Sequence, residues 1–202
     1  MKNQHTVDAY NVIAPEFASS RDDPFYWKYE LELFQELTKR CGRLLEIGCG
    51  AGRDARILAS VGFDYFGIDP SIAMLRQSRL RISKERAIYA CMDFHNLCFR
   101  NVMFDCFWAS ASLLHIKKED IKDVLQSVRF IVRKGGYGFI SIKEMSDSQI
   151  EVKQDGECMR EFFLYTLGEF ARILMSCRYT IVASYTKRTK QTTWLCYFVK
   201  IR

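Results

Sequence analysis

The sequence predicts an α/β fold, a mostly parallel sheet flanked by helices, on three observations. Leu44, Leu45 and Ile47 form a short apolar run of the kind a strand buried on both faces shows, and Gly48, Gly50 and Gly52 follow at once. Ala55, Ile57, Leu58 and Ala59 then fit a helix, for which Gly62 is the expected C-terminal cap. A second strand-like run ends in Asp69, and strand and helix patterns alternate through the rest of the chain.

The glycines are chemically informative. Without side chains they tolerate positive φ, so the backbone turns sharply and approaches a ligand closely. A strand-loop-helix unit also aims helix N-terminal amides at whatever sits above the sheet. Asp69 follows the glycines by roughly 20 residues, where an acid in doubly wound folds accepts both ribose hydroxyls. An adenosine-type cofactor is therefore expected. A tight turn in a nucleotide-free domain does not by itself call for three alternating glycines and Asp69. The spacing, Glu46-x-Gly48-x-Gly50-x-Gly52, departs from the G-x-G-x-x-G of dinucleotide enzymes.

That spacing resembles motif I of the class I S-adenosylmethionine-dependent methyltransferases. The resemblance implies a Rossmann-like seven-stranded sheet, mostly parallel with an antiparallel last strand, and helices on both faces. It also implies that Glu46 helps position the amino-acid end of S-adenosylmethionine, that Gly48, Gly50 and Gly52 cradle it, and that Asp69 holds its ribose.

Bulk properties bound the reading. At 202 residues and 49% hydrophobic content the chain is expected to be one globular domain with a full core. Residues 1–42 form an N-terminal helical lid or cap and 43–202 the core. No stretch approaches the roughly 20 apolar residues of a membrane span, and the polar start Met1-Lys2-Asn3-Gln4-His5 is unlike a secretory signal. A soluble, cytoplasmic protein is expected. The eight cysteines, Cys41, Cys49, Cys91, Cys98, Cys106, Cys158, Cys177 and Cys196, include no C-x-x-C pair and read as buried thiols in a reducing compartment. With three histidines, no metal site is expected. The charge of +6 is densest at Arg76, Arg79, Arg81, Lys84 and Arg86, read as a solvated helix face rather than a nucleic-acid track.

Along the chain, Val7, Tyr10, Ala14 and Phe17 recur at helical spacing, with Pro15 interrupting or kinking the turn. The form Tyr10-Asn11-x-Ile13-Ala14-x-x-Phe17 resembles the leader of small-molecule methyltransferases, whose aromatic residues fold over the cofactor; core packing is an equal reading of Tyr10 and Phe17. Asp23-Pro24 is an expected helix start, with Tyr26, Tyr29, Leu33 and Leu37 on one apolar face. Pro70 and Ser71 start a helix carrying Ile72, Met74 and Leu75; in the family this segment packs on adenine, which makes Pro70 and either Met74 or Ile72 candidate cofactor residues, with core burial as the competing reading of Met74 and Ile72. A strand over 87–92 ends at Asp93-Phe94. By resemblance Asp93 bonds the adenine amino group, with turn capping as the alternative, and Phe94 adds a backbone amide or apolar cover.

The run 104–110 is the expected fourth strand, and by resemblance its end, Ala109 and Ser110, faces the methyl group. Ile121, Val124, Leu125, Val128, Ile131 and Val132 form a helix face ended by Gly135-Gly136, before a strand over 137–143. Thr166-x-x-Glu169 is a capping box for a helix bearing Phe170, Ile173, Leu174 and Cys177. The runs 179–185 and 193–201 are expected to pair as an antiparallel hairpin at one edge.

Methyl transfer from a sulfonium is an in-line displacement, so a protein has mainly to align the acceptor, exclude water and take up a proton. His115 is the candidate general base because its ordinary pKa lies near neutrality; a structural histidine is the competing reading. Ser112, Lys143, Arg160, Tyr165 and Trp194 are candidate substrate-binding residues. Lys143 and Arg160 are candidates for holding an anionic acceptor, with salt bridging or packing as the alternative. Ser141-x-Lys143-Glu144 with Arg160-x-Phe162 and Tyr165 resembles a recurrent subgroup of small bacterial-type methyltransferases. The segment 109–112, Ala-Ser-Ala-Ser, stands where base-amino methylating enzymes carry an Asn/Asp-Pro-Pro-aromatic signature, so DNA is not an expected partner. The expected function is methyl transfer from S-adenosylmethionine to an oxygen, nitrogen or sulfur atom of a small molecule, giving S-adenosylhomocysteine. The alternatives are RNA modification and non-catalytic cofactor sensing. No membrane partner is expected, and a monomer or a homodimer fits equally.

Overall fold

The structure is a computed structural model that describes residues 3–40, 42–82, 87–146 and 148–202. Cys41, Lys84 and Arg86, which the sequence singles out, lie outside the described residues. A seven-stranded sheet contains β1 (Arg43–Ile47), β2 (Asp64–Asp69), β3 (Ala87–Cys91), β4 (Phe104–Ser110), β5 (Val132–Lys143), β8 (Tyr179–Arg188) and β9 (Thr193–Ile201). Their order is β3-β2-β1-β4-β5-β9-β8. The first five are parallel, and β9 runs antiparallel to both β5 and β8. The chain therefore reverses its direction of travel across the sheet between β1 and β4. In open α/β sheets the crevice beyond the carboxyl ends of the strands at such a reversal is where ligands bind.

Leu44, Leu45 and Ile47 of β1 and Phe107, Trp108 and Ala109 of β4 are fully buried, as central strands covered on both faces require. Helix α5 (Ile121–Ile131) buries the predicted face, and α6 (Leu167–Ser176) opens with both halves of the Thr166–Glu169 capping box formed.

Several expectations are corrected. The helix after the glycine loop, α3 (Ala55–Leu58), is a single turn, and Gly62 does not cap it: the Ser60 hydroxyl takes up the Ile57 carbonyl at 2.8 Å, a side-chain bond that competes with helix continuation. Helix α1 (Gln4–Ser20) is not interrupted at Pro15, which is exposed within it. Helix α2 (Lys28–Thr38) begins four residues after Pro24, because the Asp23 carboxylate accepts from the Phe25 N–H at 2.9 Å and forms a turn instead. Its buried face is Leu31, Phe34, Gln35 and Glu30, while Tyr29 is 60% exposed. Glu30 is buried because Lys187 Nζ and the Tyr185 hydroxyl donate to its carboxylate at 2.7 and 2.9 Å. Val132, Gly135 and Gly136 belong to β5, and a Cβ at Gly136 would overlap the Asp105 carbonyl of the neighbouring strand. Cys91 and Cys98 are exposed, although Cys49, Cys106, Cys177 and Cys196 are buried thiols.

The hairpin of β6 (Ile150–Asp155) and β7 (Cys158–Phe163) was not expected and forms its own two-stranded sheet. Its inner face meets α1: Glu161 N–H donates to the Thr6 hydroxyl at 3.3 Å, and the His5 ring lies 2.9 Å from the Glu161 carboxylate. Helix α4 (Ile72–Arg81) carries the basic cluster, of which Arg81 donates to the Ala18 carbonyl and pairs with Asp22, tying α4 to α1. Arg76 and Arg79 are the members of that cluster that are exposed among the described residues. Among the described residues no helix is long and apolar enough to cross a membrane.

Candidate functional site

A cleft of about 1020 Å³, measured to its open mouth, lies at the carboxyl ends of β1, β2 and β4. Its floor is the glycine loop, pinned to β2 by the Gly48 and Cys49 N–H groups, which donate to the Ile68 carbonyl at 2.8 and 3.0 Å. Gly48 and Gly50 have φ of +73° and +52°. A Cβ on Gly48 would overlap Ser112, whereas one on Gly50 would meet nothing within 4 Å. Gly50 is thus the open side of the cradle. Gly52 does not line the cleft; it lies against Ser78 of α4, where a Cβ would overlap the serine.

Asp69 ends β2 beside this loop. Its carboxylate accepts from Gly50 N–H at 2.9 Å and Ser71 N–H at 2.8 Å. Burial raises its pKa to about 6, against the lowering effect of those two bonds. Ser71 caps α4 and places Pro70 and Met74 on the wall of the cleft, while Ile72 turns outward.

Glu46 also lines the cleft, buried next to Asp54. Burial raises its pKa well above the ordinary value, with Asp54 adding to the shift, and the Tyr65 hydroxyl donates to it. Arg53 balances this acidic group: its guanidinium grips Asp54 at 2.6 and 3.1 Å and reaches the Ser110 hydroxyl at 3.3 Å. Trp108 Nε1 donates to Asp54 as well, at 2.9 Å.

Beyond β3, Asp93, Phe94 and His95 form another wall. Tyr10, Ser112 and His115 line the cleft as well, with Ser112 directly against the Gly48 turn. His115 Nδ1 lies 2.7 Å from the Glu161 carbonyl, which only accepts, so Nδ1 carries the proton. Its Nε2 is then the acceptor for the Tyr10 hydroxyl at 2.9 Å. Burial lowers the His115 pKa to about 4, helped by Arg160 and Lys143 and opposed by the Glu161 bond. Its near-neutral ordinary value, the ground for reading it as a base, is therefore not the value in the fold. Ser112 is 4% exposed, and its hydroxyl has no hydrogen-bond partner among the described residues.

Besides Gly52, five predicted residues lie outside the lining of the cleft. Ala109 is fully buried in the core of the sheet. Lys143 is paired with Glu151 at 2.7 Å, and Arg160 grips Asp155 at 2.5 and 2.9 Å, so both cations are neutralised by the hairpin. Arg160 meets the site through the rings of Tyr10, 5.0 Å away, and Phe17, 5.9 Å away. Tyr165 is buried against Phe170 beneath Lys118. Trp194 donates to the Tyr26 hydroxyl at 2.7 Å and packs on Trp27.

The reading of the sequence missed Asn3, Thr6, Arg21, Arg53, Asp54 and His95, all of which line the cleft. Arg53 and Asp54 follow the glycine triplet directly, a position that could have flagged them. Asn3 and Thr6 become lining residues only because α1 crosses the mouth, where the Asn3 amide donates to the His115 carbonyl.

Residues 44–136 match the family model of a methyltransferase domain. Over 98 residues the chain is 28% identical to a malonyl-[acyl-carrier protein] O-methyltransferase of Pseudescherichia vulneris, an alignment covering 48% of this chain and 38% of that relative. The match thus spans well under half the length of that protein. The 1,6-didemethyltoxoflavin-N1-methyltransferase of Burkholderia thailandensis, solved with 1,6-didemethyltoxoflavin and S-adenosylhomocysteine, superposes with a TM-score of 0.80 at 17% identity, over 98% of this chain and 88% of that one. An S-adenosylmethionine-dependent methyltransferase of Methanosarcina mazei gives 0.76 at 17% identity, over 84% and 96%. At these identities the likeness is one of fold. A region similar to a methyltransferase domain thus lies at the centre of a sheet of this strand order.

Proposed function

We propose that the protein transfers a methyl group from S-adenosylmethionine to an oxygen, nitrogen or sulfur atom of a small molecule. One observation carries this reading: a single cleft is lined by the glycine loop and Asp69 together with Tyr10, Ser112 and His115. The residues fit the cofactor, since Gly50 leaves its side of the loop open and Asp69 keeps acceptor capacity beyond its two backbone bonds. Asp69 holds the ribose, Asp93 the adenine amino group, Met74 and Phe94 give apolar cover, and Arg53 with Glu46 sits at the amino-acid end. The cofactor supplies an electrophilic methyl group on a sulfonium. Helix α1 and the β6–β7 hairpin exclude water from the acceptor side, which gives the first 20 residues the part of a lid. Helix α2 belongs to the core, where Trp27, Leu31 and Phe34 pack.

His115 is neutral at pH 7, and its Nε2 takes up the proton of the Tyr10 hydroxyl that donates to it, while the Tyr10 oxygen receives the acceptor's proton in turn. A weak base suffices because an acceptor hydroxyl becomes strongly acidic as its new bond to carbon forms. Lys143 and Arg160 are engaged by Glu151 and Asp155, so neither is assigned to an acceptor anion. Buried thiols at Cys49, Cys106, Cys177 and Cys196 support a reducing, cytoplasmic location.

Calorimetric titration with S-adenosylmethionine, S-adenosylhomocysteine and NAD tests the reading. Micromolar binding of both sulfur ligands and none of NAD is expected; failure of both sulfur ligands to bind overturns it. Once an acceptor is in hand, His115→Ala is expected to slow turnover with unchanged cofactor affinity. The wild-type rate should then fall on the acid side near pH 4 rather than 6.5, the pKa of His115 being lowered to about 4.

A further inference from the structure

We infer that His95 is a positioning residue for adenine recognition, holding one oxygen of Asp93 so that the other is presented to the adenine amino group. The inference rests on the cofactor reading above and deepens it. Asp93 follows β3, and its Oδ1 accepts twice from His95: from the backbone N–H at 3.0 Å and from ring Nδ1 at 2.8 Å. One carboxylate oxygen held by two donors on the next residue but one fixes the plane of the group. The ring is itself held. Its side chain is 13% exposed, and its buried Nε2, which has no hydrogen-bond partner among the described residues, stands 3.6 Å from Asp120 Oδ2 at the start of α5. His95 is thus wedged between the loop after β3 and the beginning of α5. Both Asp93 and His95 line the cleft.

The chemistry that such an arrangement selects is specific. An ionised carboxylate only accepts hydrogen bonds. Adenine offers an exocyclic N–H at the position where hypoxanthine offers a carbonyl oxygen. A carboxylate with one oxygen fixed and the other free therefore favours the adenine nucleoside and repels the inosine one. A carboxylate free to rotate satisfies itself with water and discriminates less.

The test is the ratio of two affinities in the full chain, for S-adenosylhomocysteine and for S-inosylhomocysteine, measured by calorimetry. The wild type is expected to prefer the adenosyl ligand by about 10- to 150-fold, the range of one hydrogen bond to a charged group. His95→Ala is expected to reduce that preference by about 5- to 10-fold, since the bond is misoriented rather than deleted. His95→Asn, whose amide N–H takes the place of Nδ1, should restore it. A purely structural role weakens both ligands together and leaves the ratio unchanged, and that result overturns the inference. A wild type with no preference overturns it as well, because Asp93 then does not read the amino group. If His95→Ala does not fold, His95→Gln, which fills the space without a donor at the Nδ1 position, supplies the same comparison. Failure of the wild type to bind S-adenosylhomocysteine at all strikes instead at the cofactor reading.

Discussion

Asp69→Ala is expected to weaken binding of S-adenosylhomocysteine by roughly 10- to 150-fold while the fold is retained, because a hydrogen bond to a charged group contributes about 1.5 to 3 kcal/mol. Retention of the fold follows from the electrostatics of the site. Asp69 sits at the end of β2 with its pKa raised from 3.8 to about 6, so in the ligand-free protein its ionised form is disfavoured by burial. An acid raised in this way stabilises the fold through its protonated form. That contribution is full below about 3.8 and gone above about 6. The ligand reverses the preference, since ribose hydroxyls donate to the carboxylate and favour the ionised form. Affinity is therefore expected to be level above pH 7 and to fall as the pH drops through about 6, with a proton released on binding in that window. Calorimetry in buffers of different ionisation enthalpy between pH 5 and 8 reads both effects. Equal affinity in wild type and Asp69→Ala would remove this acid from the ribose.

The elements that the sequence disclosed are those whose signal is local. Leu44, Leu45 and Ile47 are apolar because a central strand has no polar face, and Thr166 with Glu169 spells a cap in four residues. Asp69 was legible because the turn before it and the strand that carries it have fixed lengths. What escaped depends on partners far away in the chain. The phase of α2 could not be read from hydropathy because Glu30 is buried, and it is buried only because Lys187 and Tyr185, more than 150 residues later, meet it. Lys143 and Arg160 were counted as candidates for an anion, but Glu151 and Asp155 on the hairpin neutralise them. The hairpin itself carries little apolar signal, since β6 is exposed along most of its length; its one local mark is Gly156, with φ of +62° in the turn. His115 was identified by type, yet its protonation is decided by the Glu161 carbonyl and by burial beneath α1.

Gly48 and Gly50 look equivalent in the sequence, and the structure predicts that they fail differently. Both adopt positive φ, +73° and +52°, so an alanine at either costs about 1 to 2 kcal/mol of backbone strain. At Gly48 the added methyl also overlaps Ser112, with Phe94 close by. Ser112 has little room to retreat, because it accepts the His115 N–H at 3.2 Å and forms the start of a short 3-10 turn. Overpacking of this kind costs about a further 1 to 3 kcal/mol. Gly48→Ala is thus expected to lower stability by about 2 to 5 kcal/mol in denaturant unfolding. Gly50→Ala meets nothing within 4 Å, so its stability loss stays near the strain value alone. Its methyl instead enters the open side of the cradle. Ligand should therefore separate the two: saturating S-adenosylhomocysteine raises the unfolding midpoint of the wild type, and Gly50→Ala should lose that increment although its ligand-free midpoint is the less disturbed. Equal stabilities for the two variants would mean that the approach of Ser112 to Gly48 is not tight. An undiminished ligand increment in Gly50→Ala would mean that the cofactor does not lie against this turn of the loop.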